Sequence, residues 1–286
     1  VMANLKEIRN RIASVSSTMQ ITSAMKMVSA AKLKKAQDAI IAMRPYASTL
    51  TELIQNLSGS LDGNAKNPYT EVRYKKSILI IVVTSNRGLC GAFNTNVIKK
   101  TRQIIKEKYL NQNVSLITIG KKGSEVLTKT SKIVSSHDAI FDDLTYSNVA
   151  SIAQQVMDNY QDKTIDEVVL VYNRFKNAAT QIVEVEPFLP IVAESETPTS
   201  TDYIFEPSQN EIINELLPKA LKMQLFKSLC DSFASEHGAR MTAMHKATDN
   251  ASELRDQLKL TYNKARQASI TNEILEIVGG AEALNN

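Results

Sequence analysis

The segment with the most evident chemical potential is Thr84-Ser-Asn-Arg-Gly-Leu-Cys-Gly-Ala-Phe-Asn94. A glycine-bearing loop between a strand and a helix can cradle phosphate with its amides. Gly88 and Gly91 are only three apart, however, and no Lys-Ser/Thr pair follows. The loop therefore fits neither the dinucleotide fingerprint nor the Walker pattern. It reads instead as a tight strand-to-helix turn in which the glycines take φ > 0. Cys90 lies beside Arg87, whose charge would lower a thiol pKa, but a small buried thiol is the commoner case. His137, His237 and His245 are too scattered for a metal site. Asp142-Asp143 and Glu184/Glu186 read as solvated carboxylates rather than acid–base pairs. No nucleophile, base and oxyanion donor come together, so neither a catalytic residue nor a cofactor or metal site is expected.

Charge is more informative. The chain has 286 residues, 34 basic and 30 acidic, for a formal net charge of +4. Within residues 1–44, Lys6, Arg9, Arg11, Lys26, Lys32, Lys34, Lys35 and Arg44 stand against only Glu7 and Asp38, a local excess larger than that of the whole chain. A nucleic-acid arm would interleave aromatics for stacking, and none occurs before Tyr46. A transit peptide would not need a sustained apolar seam. A docking surface for acidic protein partners accounts for both charge and seam. Cys90 and Cys230 lie far apart, which excludes a disulfide scaffold and fits a reducing compartment. The longest aliphatic run, Ile78 to Val83, is far shorter than the roughly 20 residues of a membrane span.

The elements that must carry these residues follow from where helix breakers are missing. Up to Gly59 there is only Pro45, and from Lys219 to Val278 only Gly238. Leu5, Ile8, Ile12, Val15, Met19 and Thr22 recur at heptad spacing, and so do Ala247, Ala251, Leu254, Leu258, Thr261 and Ala265. The two ends are predicted to pair as a long antiparallel coiled coil, with Ala24, Ala30, Ala31, Ala247, Ala251 and Ala265 letting the backbones approach. Between them, strands at Ser77–Val83, Val114–Ile119, Val168–Tyr172 and Gln181–Phe188 alternate with helices at Thr95–Tyr109 and Asn148–Tyr160, which predicts a Rossmann-like α/β domain. Pro187 is expected to end the last, edge strand. Residues 57–66 and 194–207 read as linkers, so the domains are set at 1–57, 58–207 and 208–286. Ile270, Ile274, Leu275, Ile277 and Val278 cover more than one helix face, an apolar tip that calls for an enclosing sleeve.

The runs Ala3–Ile12, Ile21–Val28, Thr84–Asn94, Arg240–Asn250, Tyr262–Thr271 and Glu273–Gly280 resemble, in order and over essentially the whole chain, the gamma subunit of F-type ATP synthase. The resemblance implies a rotor shaft threading three alpha and three beta subunits, with the epsilon subunit and the c-subunit ring near its α/β domain. It implies no catalytic residue, no bound nucleotide, no nucleic acid, and attachment to the membrane only through partners. Met25 and Lys26 then face the acidic lever of a beta subunit, and Arg240, Gln267 and Thr271 contact beta-subunit loops, while Ile274 and Ile277 belong to the tip. Asn86 stands where the family usually has aspartate, and the close cysteine pair of the redox-regulated plastid form is missing. Lack of a presequence points to the cytoplasmic face of a bacterial inner membrane rather than an organelle, and Val1 ahead of Met2 reads as a remnant. The rival readings are a nucleotide-binding α/β enzyme with a coiled-coil dimerisation hairpin, and a tether that does not turn.

Overall fold

A computed structural model of the chain describes residues 2–59, 67–191 and 209–284. The expected linker 194–207 lies outside the described residues, as does 60–66 of the other. Two long helices, α1 (Met2–Gly59) and α5 (Gln209–Leu284), enclose the rest in sequence. Pro45 does not interrupt α1, and Pro218 lies inside α5 in the same way. The chain divides into two compact units, residues 1–29 with 241–286 and residues 30–240.

The first unit is a helix pair. Leu5, Ile8, Ile12, Val15 and Met19 are half-buried and Thr22 and Ser29 buried, on one heptad stripe. The pairing is antiparallel, because the partners run in opposite senses. Thr22 Oγ1 lies 2.8 Å from Thr248 Oγ1, Arg255 Nη1 is 3.6 Å from the Met19 sulfur, and Arg9 Nη2 donates to the Tyr262 hydroxyl at 2.7 Å. On α5 the covered line runs through Met244, Thr248, Ala251, Arg255, Leu258, Tyr262, Ala265 and Ser269. This corrects the expected register: Leu254 and Thr261 face solvent, and Arg255 and Tyr262 take their places. Both are long side chains that lay an apolar stem on the seam and carry a polar end to its margin. Ala24 and Ala31 are exposed and Ala30 is half-buried, so close approach does not rest on the first two.

The second unit is built on a five-stranded sheet of β1 (Ser77–Val83), β2 (Asn113–Ile119), β3 (Lys132–Ser136), β4 (Glu167–Phe175) and β5 (Gln181–Leu189). Their order is β3-β2-β1-β4-β5, all parallel except β5. Alternate residues of β1 feed opposite faces. Leu79, Ile81 and Val83 join α4 (Tyr146–Gln161) and the Leu217, Leu221, Leu225 and Leu229 stripe of α5. Ile78, Ile80 and Val82 join α2 (Phe93–Glu107), Tyr109 and α3 (Lys121–Leu127). A strand covered on both faces needs a continuous apolar run, which β1 has. Pro187 does not end β5. It pairs with Val169 beside a register shift, and an edge strand at an irregularity tolerates the missing N–H.

Candidate functional site

In a sheet of this order, ligands bind beyond the carboxyl ends of the strands, where successive connections leave in opposite directions. Here that point lies between β1 and β4, and the loop Thr84–Ala92 rises from β1 directly above it. α5 fills the place. Ala239 packs on Cys90 and Phe93. Ser235 donates to the Asn173 carbonyl at 3.1 Å, and Asn173 donates to the Phe93 carbonyl at 3.3 Å. Arg240 Nη2 donates to the carbonyls of Arg87 and Gly88 at 3.0 and 3.2 Å, and Nη1 to Glu236 at 2.5 Å. The crevice that would receive a nucleotide is occupied by the chain's own helix.

The loop departs from its expected geometry. Gly91 has φ +60°, but Gly88 is not left-handed; Leu89, at φ +64°, takes that role and is 65% exposed. A non-glycine residue there costs about 1–3 kcal/mol. Cys90 is buried, and burial raises its pKa against the opposing influence of the Ser85 hydrogen bond and the Arg240 charge. The thiol is thus a packed one, not an activated one. Asn86 donates to the Asp138 carbonyl at 2.6 Å and accepts from the Lys121 amide at 3.0 Å. An aspartate could make only the second bond, which explains the amide in this chain. Thr84 accepts from the Gly123 amide at 2.8 Å, so the start of α3 rests on the loop's first residue.

The other titratable groups are not arranged for chemistry. His237 is buried edge-on to Phe233, with ring centroids 4.5 Å apart and no hydrogen-bond partner at either nitrogen. Burial first, then the charges of Arg240 and Lys32, hold its pKa down at about 4, so the ring is neutral. His245 pairs with Asp249 at 3.2 Å. Glu184 pairs with Arg174, and Glu186 accepts from Tyr172 and Gln224, while Asp142 and Asp143 are solvated. Among the described residues no group of His, Cys, Asp and Glu is placed to hold a metal ion.

What the chain does present is surface. Met25 and Lys26 are half-buried, Lys26 falling on the heptad line between Thr22 and Ser29. Gln267 and Thr271 are exposed one turn apart, Thr271 donating to the Gln267 carbonyl at 3.0 Å. Ile274 and Ile277 are 55% and 71% exposed, and Ile270, Leu275 and Val278 are also open. Arg240 alone of the expected contact residues is buried, within the second unit. Sequence reasoning missed exposed Ile21 and Val28, one heptad apart beside the basic residues of α1, and it missed Leu89. The first two carried a signal, because β-branched residues off the seam had no core to enter.

The family pattern described as ATP synthase matches residues 4–284. A protein named ATP synthase gamma chain from Flavobacterium psychrophilum is 66% identical over 285 residues, which is 99% of each chain. The chain belongs to the ATP synthase gamma chain family. Its fold is shared by a chain of the Tetrahymena thermophila mitochondrial ATP synthase central stalk/c-ring structure, at 26% identity and a TM-score of 0.61, covering 79% of this chain and 99% of that one. A chain of the Euglena gracilis mitochondrial ATP synthase OSCP/F1/c-ring structure covers more, 99% of this chain against 95% of its own, with a TM-score of 0.73 at 22% identity. Family membership accounts for open apolar and basic helix faces and a filled crevice.

Proposed function

We propose that the chain is the central shaft of an F-type ATP synthase, transmitting rotation between a membrane-bound c-subunit ring and the alpha and beta subunits of the catalytic head. The observation that carries this reading is the antiparallel helix pair of residues 1–29 and 241–286, whose open faces are apolar and basic. The shaft works by shape and charge rather than by reacting groups. Its asymmetry favours different conformations of otherwise identical sites at each angle, and an angle-dependent difference in affinity is what couples turning to catalysis. Met25 and Lys26 meet an acidic lever of a beta subunit, Gln267 and Thr271 meet its loops, and Ile274 and Ile277 turn in an apolar sleeve. Each contact is individually weak, since exposed ion pairs are worth about 0–1 kcal/mol, and a shaft held by deep anchors would stall.

The chain itself is non-catalytic in this reading, because α5 occupies the crevice where the fold would bind a nucleotide. The epsilon subunit and c-subunit ring contact the α/β part, and the complex stands on the cytoplasmic face of a bacterial inner membrane. Bacterial relatives such as those of Flavobacterium support that placement, and among the described residues no helix is long and apolar enough to cross a membrane. Co-expression with alpha and beta subunits tests the proposal. A single complex containing this chain, with ATPase activity that depends on it, is expected; tight stoichiometric binding of ATP to the chain alone would favour the enzyme reading instead.

A further inference from the structure

We infer that Thr248, Arg255, Tyr262 and Ser269 are positioning residues that hold α5 at one axial setting against α1, so that the helix pair turns as one body. The turning half of that statement rests on the shaft reading above. The four residues are seven apart, and each is half-buried or buried on the seam. They take one of the two seam positions of α5 at every heptad. Met244, Ala251, Leu258 and Ala265 take the other, also seven apart. One line of the seam is apolar throughout, and the other is polar throughout.

The apolar line holds the helices together, but the force it supplies is non-directional. The polar line is directional. Thr248 meets Thr22 at 2.8 Å, and Arg255 reaches the Met19 sulfur at 3.6 Å while Ser252 and Asp256 steady its other nitrogens. Tyr262 accepts from Arg9 at 2.7 Å, with the guanidinium 5.6 Å from the ring centre. Successive residues of the line lie roughly 10 Å apart along the axis, and each has a different partner. A slide of one heptad would keep the apolar line matched, yet it would set Arg255 against Thr22 and leave Arg9 facing the short Ser269. Only the polar line tells the two settings apart. Polar side chains at a seam position cost stability and fix register, so adhesion alone does not account for four of them in succession. Twisting two wound helices drives one along the other, and a pair free to slide would absorb the torque that a shaft must pass on.

The test uses the full chain with spin labels at Ser14→Cys and Gln257→Cys, exposed positions on the two helices. The buried native thiols stay in place, and a chain without the added cysteines is the blank. The distance distribution between labels is measured before and after adding Thr248→Val, Arg255→Met, Tyr262→Phe and Ser269→Ala. One narrow distance is expected before. Afterwards it should widen at least about twofold or split, while the thermal midpoint holds or rises, because register is lost and adhesion is not. An unchanged width overturns the inference. Should the fourfold variant fail to fold, Tyr262→Phe alone, which removes only the hydroxyl that Arg9 holds, carries the test with the same two outcomes. In the complex with alpha and beta, the fourfold variant is expected to turn a small bead at the wild-type rate. It should turn a large bead at least about twofold more slowly, since the bonds that resist sliding are gone. Equal rates at both loads overturn the mechanical role. A wild-type chain that does not turn at all overturns the shaft reading instead, and the label distances alone then decide register.

Discussion

A Cβ placed on Gly120 would lie 2.1 Å from the Thr84 carbonyl oxygen, and the residue has φ +99°. Both facts forbid a side chain there. Gly120→Ala should destabilise the chain by roughly 2–3 kcal/mol, from backbone strain and forced displacement of β1's end, read as a shift in the denaturant midpoint. His237 supplies a pH signature. Its folded pKa, about 4, lies below the ordinary 6.5, so its contribution is fully present above that ordinary value and is lost as pH falls toward 4. The loss approaches on the order of 3 kcal/mol. Glu236, whose pKa burial raises, acts in the opposite sense, so the informative quantity is the difference between wild type and His237→Met. Equilibrium unfolding between pH 7 and 4 should show a shallower decline in the variant, and parallel curves would mean that the ring is not the source. At this scale the sequence revealed residue types but not their uses. The packed thiol expected at Cys90 is what the structure shows, but the cation that acts on the sulfur is Arg240, 150 positions on, rather than the adjacent Arg87. Leu89 was illegible because nothing in a leucine advertises a left-handed backbone.

Among the elements, periodicity told most of the story and phase told less. The heptad of α1 was read correctly from Leu5 to Thr22, because an apolar or small residue stood at every step. On α5 the ambiguity between Leu254 and Arg255, and between Thr261 and Tyr262, was resolved the wrong way, since hydropathy ignores the apolar stems of long polar side chains. β3 and α3 went unread for a physical reason. One is five residues at an open sheet edge, and the other is seven residues containing Gly123. Neither buries enough apolar surface to leave a pattern. The helix pair also holds a polar contact, Thr22 with Thr248, in which one hydroxyl donates to the other while the acceptor's own proton can go to a carbonyl of its own helix, Met19 or Met244. With those bonds kept in reserve, each single valine replacement should be mild. A double-mutant cycle of Thr22→Val and Thr248→Val, followed by thermal unfolding, should give a coupling of about 0.5–1.5 kcal/mol. Additivity would place the hydroxyls too loosely to matter to register.

For the molecule as a whole, function rests on surfaces that a folded monomer has no reason to leave open. Ile274, Leu275, Ile277 and Val278 are exposed together, as are Ile21 and Val28 beside the basic side chains of α1. The tip and the charge were legible from composition alone, because neither could be explained by a core. What the sequence could not show was that α5 closes the sheet's own crevice, since that depends on a contact between residues far apart in the chain. If Lys26 meets an acidic lever as proposed, Lys26→Glu reverses that one contact. Assembly should persist and protons pumped per ATP hydrolysed should fall by less than about fivefold, in keeping with one exposed pair; an unchanged ratio would remove Lys26 from the coupling surface. The most direct measurement is rotation itself. With the alpha and beta subunits fixed to a surface and a bead attached through Lys99→Cys, on the exposed face of α2, the account predicts unidirectional turning on addition of ATP. A bead that stays still while the same complexes hydrolyse ATP would contradict it.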